Sequence, residues 1–210
     1  MDINEIYERG GWLIVIIGLV SVTATAFFFE RLFALRKSAV RPSVFMERVR
    51  TLSEKGAFDD AEKESRAGHS KIARLYEAVL RHRGAPAYAL KEAAEESGKQ
   101  IAAELERFCG VIGVCANIAP LLGLLGTVTG MIAVFQKVES VGISSPLSMA
   151  GGIWEALLTT AFGLSAGIVA LILHRFTLSR VDRLVLQLEE DVLDFIEIVV
   201  AAEGANKEAL

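Results

Sequence analysis

The chain has 210 residues, 52% of them hydrophobic and 23% charged, with a formal net charge of −4. Its mean hydropathy is +0.43, and its apolar content exceeds the ~45–50% typical of soluble domains. The acidic balance gives no basic footprint for nucleic acid. The two cysteines and three histidines form no disulfide framework or metal-ligand spacing.

Three windows, 12–29, 108–136 and 140–174, are free of charge except for Glu155 in the third. A membrane-crossing helix needs ~20 predominantly apolar residues, whereas buried helices of a soluble core show apolar runs of ~10–14. The windows therefore predict three spans. The leader "MDINEIYERGG" carries Asp2, Glu5 and Glu8 against Arg9. A secretory n-region is basic and is followed by a small-residue cleavage site, so the first window is expected to stay as a helix, over 12–34. Segment 1–11 forms a short external N-terminus.

Residues 35–106 read as a helical insert. "RPSVFMERVRTLSEKG" begins with Pro42 at a helix entry and stops at Gly56. "FDDAEKESRAG" is a second short helix ending at Gly68, and "HSKIARLYEAVLRHRG" a third ending at Gly84. From Pro86, "AYALKEAAEESGKQIAAELERF" is rich in strong helix formers. It predicts one long helix running on, uninterrupted, into the second span at 107–137.

A short external loop follows at 138–148, then the third span at 149–174. In the tail, 175–210, Val181, Leu184, Val185, Leu188, Val192, Phe195, Ile196 and Val199 recur at helical spacing. This amphipathic helix is expected to continue span three, with Glu189, Glu190, Asp191, Asp194 and Glu197 on a solvated face. Twenty of the 22 Lys and Arg residues lie on the side of the insert and tail. The positive-inside rule puts that side in the cytoplasm. The fold class is thus all-α: an integral membrane protein whose three transmembrane helices extend into the cytoplasm.

Within span two, "NIAPLLGLLGTVTGMIAVFQ" places Gly123, Gly126 and Gly130 on one stripe. Small residues at such spacing let membrane helices approach closely. Pro120 removes a backbone hydrogen bond near Ala116. Asn117, Thr127 and Thr129 add polar atoms, Thr129 being expected to bond its own backbone. "GLLGTVTG" has no Lys after its glycines, which excludes a phosphate-binding loop. In span three, Gly163 and Gly167 form a second small-residue pair. Thr159 follows Glu155 by four residues, about 40° around the helix. Thr160 points roughly 140° away from Glu155.

Glu155 is the residue that needs a reason. No charge precedes it back to Glu139, and none follows until Arg175. A charged side chain at mid-membrane costs at least ~2.5–3.5 kcal/mol. Desolvation disfavours the charged form of a carboxyl. Such a group is either neutral or faces a hydrated interior, and both states suit a carrier of protons. The competing assignments are a position near the external headgroups, or a structural partnership with a polar residue on another helix.

"APLLGLLGTVTGMIAVFQ" followed by "GGIWEALLTTAFGLSAGIVALILHRF", with "GGWLIVIIGLVS…FFFERL" before them, resembles the MotA/TolQ/ExbB proton-channel family on its ExbB/TolQ side. The resemblance covers nearly the whole chain and is specific in spans two and three. It implies an all-helical subunit of the bacterial inner membrane that assembles as a homo-oligomeric ring, a pentamer in ExbB-like members. A single-span partner of ExbD or TolR type occupies the central pore and contributes a membrane Asp. The proton is the transported ion, and no cofactor or metal is implied. Glu155 matches the family's span-three carboxylate, and Thr127 and Thr160 match its pore threonines; Thr159 lies beside the Glu. The implied function is to use the proton motive force to energise TonB-dependent transport across the outer membrane, through a TonB-like protein.

Three alternatives stand beside this function. A TolQ-like subunit of the Tol–Pal envelope system shares the same chemistry. A MotA-type flagellar stator keeps its key carboxylate on the partner chain, which Glu155 argues against. A non-conducting membrane scaffold would not need Glu155 at all. An enzyme fits poorly, because the sequence has no nucleophile–base pair.

Overall fold

A computed structural model describes residues 3–141 and 146–208, with side chains for 12–140 and 149–205. Residues 142–145 of the expected external loop, and both chain ends, lie outside the described residues. Among the described residues eight helices follow in order: α1 Ile3–Ala34, α2 Lys37–Val40, α3 Ser43–Glu54, α4 Phe58–Ala67, α5 Lys71–Arg81, α6 Ala87–Glu106, α7 Cys109–Val141 and α8 Pro146–Glu208. Among the described residues there is no strand. They divide into two compact units. One takes the chain through Arg31 and Phe108–Thr177; the other takes Leu32–Arg107 and the chain from Leu178 on.

The first unit consists of the three apolar helices. Each of α1, α7 and α8 contains a segment long and apolar enough to cross a membrane. Its small core is formed by Ala24, Ile112, Cys115, Ala116 and Ala170, with Val20, Phe27, Phe28, Val111 and Leu173 packed around it. Most large apolar side chains face outward instead: Trp12, Leu19, Val22, Leu121, Leu124, Phe135, Trp154, Leu157 and Ile168 are all exposed. Water does not tolerate so large a contiguous apolar surface on a monomer, whereas lipid does.

The second unit is a bundle of α2–α6 with the rest of α8. Val49, Ile72, Leu75, Tyr76, Val79, Leu80, Leu90, Ile101, Val181, Phe195 and Val199 are fully or almost fully buried. Tyr76 and Phe195 stack with centroids 3.9 Å apart. The local punctuation is physical. Ser70 caps α5, its hydroxyl accepting from the Ala73 amide at 3.3 Å. Gly56 and Gly84 have φ of 73° and 80°, the left-handed region that glycine enters without strain. Gly68 has an ordinary φ but no room: a Cβ would lie 2.7 Å from Ala73 Cβ and 3.0 Å from the Phe45 ring.

Three expectations are corrected. The helix from Pro86 does not run unbroken into span two: α6 stops at Glu106 and α7 starts at Cys109. Between them Phe108 adopts φ 66°, a conformation that is strained for a bulky residue. Its ring packs 5.1 Å from Phe27, and the Arg31 guanidinium sits 5.4 Å over it. These contacts come from α1 and are invisible to helix propensity. The third insert helix ends at Arg81, not at Gly84, because His82–Ala85 forms a turn stabilised by the Ala85 amide donating to His82 O at 3.1 Å. Asp191, expected on the solvated acidic face, is only 7% exposed. It receives two hydrogen bonds of 2.7 Å from Arg41, which also donates to Gln187 at 3.0 Å. The tail itself does continue span three as one helix, α8.

Candidate functional site

The site lies where α7 and α8 run antiparallel. Their contact can be followed as a ladder of small residues against backbone or short side chains. A Cβ on Gly152 would meet Val134 at 2.4 Å, on Gly130 Ala156 at 2.8 Å, and on Gly126 Thr159 at 2.3 Å. On Gly163 it would meet Ala119 O and Gly123 Cα at 2.7 Å, and on Gly167 Pro120 Cγ at 2.5 Å. All five glycines expected from the sequence to serve packing thus lie on this one contact. Gly167 leaves the notch into which the Pro120 ring fits. Proline cannot donate to Ala116 O, and that carbonyl is 3.2 Å from where a Gly167 Cβ would stand.

The three candidate hydroxyls all bond to backbone. Thr127 donates to Leu124 O at 2.7 Å, Thr159 to Glu155 O at 3.1 Å and Thr160 to Gly123 O at 2.6 Å. Only the Thr160 bond crosses from one helix to the other, and it clamps α8 to α7 at the closest glycine pair. Thr159, at 3% exposure, fills the gap over Gly126 and is a packing residue within this chain. Thr129 bonds Leu125 O at 2.9 Å, as expected of a hydroxyl in an apolar helix.

Glu155 is half-buried and lies beside this seam. Among the described residues its carboxyl has no ion-pair or hydrogen-bond partner. Its neighbours Trp154 and Leu157 are exposed. Sequence reasoning did not single out Gly113, Gly152 or His174. A Cβ on Gly113 would lie 2.9 Å from Cε1 and Nε2 of His174, so the ladder continues to the far end of the pair. The signal was present as Gly113 to Gly152 in antiparallel register, but the register is set only once α7 and α8 are paired.

These features define a polytopic, all-helical membrane protein. Across the three apolar windows 12–29, 108–136 and 140–174 the one carboxyl is Glu155, beside a glycine-rich helix pair. The chain belongs to the MotA/TolQ/ExbB proton channel family, whose model matches residues 67–190. An ExbB-like biopolymer transport protein of Synechocystis sp. is 30% identical over 176 residues, 82% of this chain and 69% of its own. An ExbB homologue of Methanothermobacter thermautotrophicus is 26% identical over 197 residues, covering 93% of this chain and 67% of its own. The Tol-Pal system protein TolQ of Haemophilus influenzae is 32% identical over 93 residues, 44% of this chain and 39% of its own.

Proposed function

We propose that this chain is the ring subunit of an ExbB-type proton-driven motor in the bacterial inner membrane. The observation that carries the proposal is Glu155, a carboxyl without a partner among the described residues of its chain, inside an otherwise uncharged stretch from Ser140 to His174. An unpartnered intramembrane carboxyl is expensive, and such groups generally mark ion pathways. It needs a polar surrounding that the described residues of one copy do not supply. A homo-oligomeric ring, pentameric as in ExbB-like members, supplies that surrounding together with a single-span ExbD/TolR-type partner.

In this arrangement the N-terminus is periplasmic, while the insert and the tail beyond span three are cytoplasmic. The proton binds Glu155 and passes to the partner's titrating group. One charge crossing 100 mV releases ~2.3 kcal/mol, so several protons must act in sequence to move the partner. Thr127 and Thr160 flank the pore. Their hydroxyls hold backbone carbonyls within one chain, and each oxygen retains a lone pair for water. The work is delivered through a TonB-like protein to outer-membrane transport. The likeness to a TolQ supports a second assignment, to the Tol–Pal envelope system, with the same chemistry at Glu155.

The test is proton flux in liposomes holding this chain and its single-span partner, comparing wild type with Glu155→Gln. Flux is expected to vanish while assembly is retained. Equal flux in the two would overturn the proposal and favour a non-conducting scaffold.

A further inference from the structure

His174 closes the ladder of α7–α8 contacts, at the far end from Gly152, and it differs from every other rung. The other rungs set glycine against alkyl groups or backbone; this one sets Gly113 against an imidazole. A methyl on Gly113 would lie 2.9 Å from Cε1 and Nε2 and 3.2 Å from Cδ2, so the ring lies against the α7 backbone. A histidine at a membrane boundary ordinarily turns its polar tip to water. Here Nδ1 is buried and, among the described residues, has no hydrogen-bond partner. An unmet buried polar group costs ~1–3 kcal/mol, and such groups call for an explanation.

Along α8, His174 lies about 28 Å from Glu155 at 1.5 Å rise per residue. The hydrocarbon core of a bilayer is about 30 Å thick. The two ionisable side chains of this span are therefore separated by nearly the thickness of that core. The other ionisable groups of the elements at the His174 end are Arg175 on α8, Cys109 and Cys115 on α7, and Glu30 and Arg31 on α1, the last two paired with each other at 2.5 Å. Arg175 is positive and disfavours a second cation beside it. An imidazolium has two N–H donors to satisfy, and the closed contact offers Nδ1 nothing.

We propose that His174 is a second protonation site of the membrane unit, and that taking up a proton there opens the α7–α8 contact at that end and admits water. The neutral ring holds the contact shut and keeps the far end of the span dry. The charged ring is stable only when hydrated. This rests on the proposed proton-conducting function, to which it adds a gate at the end of the span remote from Glu155.

The native thiol Cys115 reports on the opening, since it packs in the same core as Ala170, one turn from His174. The full chain in liposomes is treated with a maleimide from about pH 8 to about pH 5.5, the range in which imidazole titrates, and Cys115 modification is read by mass spectrometry. His174→Phe keeps a ring and removes the proton site. Dividing by this variant cancels the falling thiolate fraction. The ratio of wild-type to variant labelling is expected to climb as pH falls, by up to about tenfold per pH unit. Gly113→Ala displaces the ring sterically and is expected to raise labelling at pH 8 already. A flat ratio overturns the inference. Flux lost in Glu155→Gln alongside a flat ratio sinks the gate alone; flux retained in Glu155→Gln sinks the conducting function beneath it.

Discussion

Gly163→Ala tests whether the α7–α8 seam is as tight as its geometry implies. The added methyl would sit 2.7 Å from both Ala119 O and Gly123 Cα, and 2.9 Å from Gly123 N. All three are backbone atoms of α7, so no side chain can rotate away. Restoring an ordinary contact of about 3.5 Å requires the helices to part by somewhat under 1 Å. That separation stretches the 2.6 Å bond from Thr160 to Gly123 O beyond useful length. Overpacking costs ~1–3 kcal/mol, and a lost interhelical hydrogen bond in a membrane adds ~0.6, giving a destabilisation of about 2–4 kcal/mol. For a chain of this size that corresponds to a fall of about 4–16 °C in Tm. Thermal unfolding in detergent, followed by circular dichroism, measures it. The control is Gly151→Ala, whose methyl meets nothing within 4 Å and which should leave Tm unchanged or slightly raised. If Gly163→Ala unfolds with the wild type, the seam is not close-packed and the reasoning fails.

Further outcomes follow from other contacts. Asp191→Ala strips Arg41 of its bidentate partner; because the Arg41 side chain keeps 22% exposure, the loss should be about 2–3 kcal/mol, below the full value for a buried pair, as read by unfolding of the intact chain. Phe108→Gly should be more stable than Phe108→Ala by about 1 kcal/mol, because φ 66° is free for glycine and strained for alanine; the reverse order would mean the chain relaxes out of that conformation. Gly98→Ala, in α6 with nothing near its would-be methyl, should gain ~0.5–1 kcal/mol from the lost freedom of the unfolded chain. The hydrogen bonds from Arg74, then Lys71, hold the Glu104 carboxyl below its ordinary range. Their stabilisation is present above the unfolded pKa of ~4.3 and is lost as pH falls through the lower folded value. Acidification from about pH 5 to about pH 3 should therefore lower the Tm of wild type more than that of Glu104→Gln, and parallel losses would refute the pairing.

What the sequence determined by itself is what depends on composition and period. Three apolar runs, charge-free but for Glu155, dictate three apolar helices, because a run of ~20 apolar residues crosses hydrocarbon as a helix, its backbone satisfied within the segment. The spacing from Val181 to Val199 dictates a buried stripe on α8, and all of these positions but the half-buried Val185 are buried. Glu155 stands out in the sequence because a lone carboxyl in an apolar run is conspicuous without coordinates. What required the tertiary structure are contacts between residues far apart in the chain. Asp191 reads as one more acid on a wet face until Arg41, 150 positions earlier, is brought against it. The break at Phe108 reads as unbroken helix, because the ring contacts that hold it come from Phe27 and Arg31 on α1. His174 reads as a stray histidine until antiparallel pairing lays it on Gly113. Local pattern reports the apolar surface a segment must hide, whereas the partner that hides it, and the polar atom left enclosed, depend on register between helices.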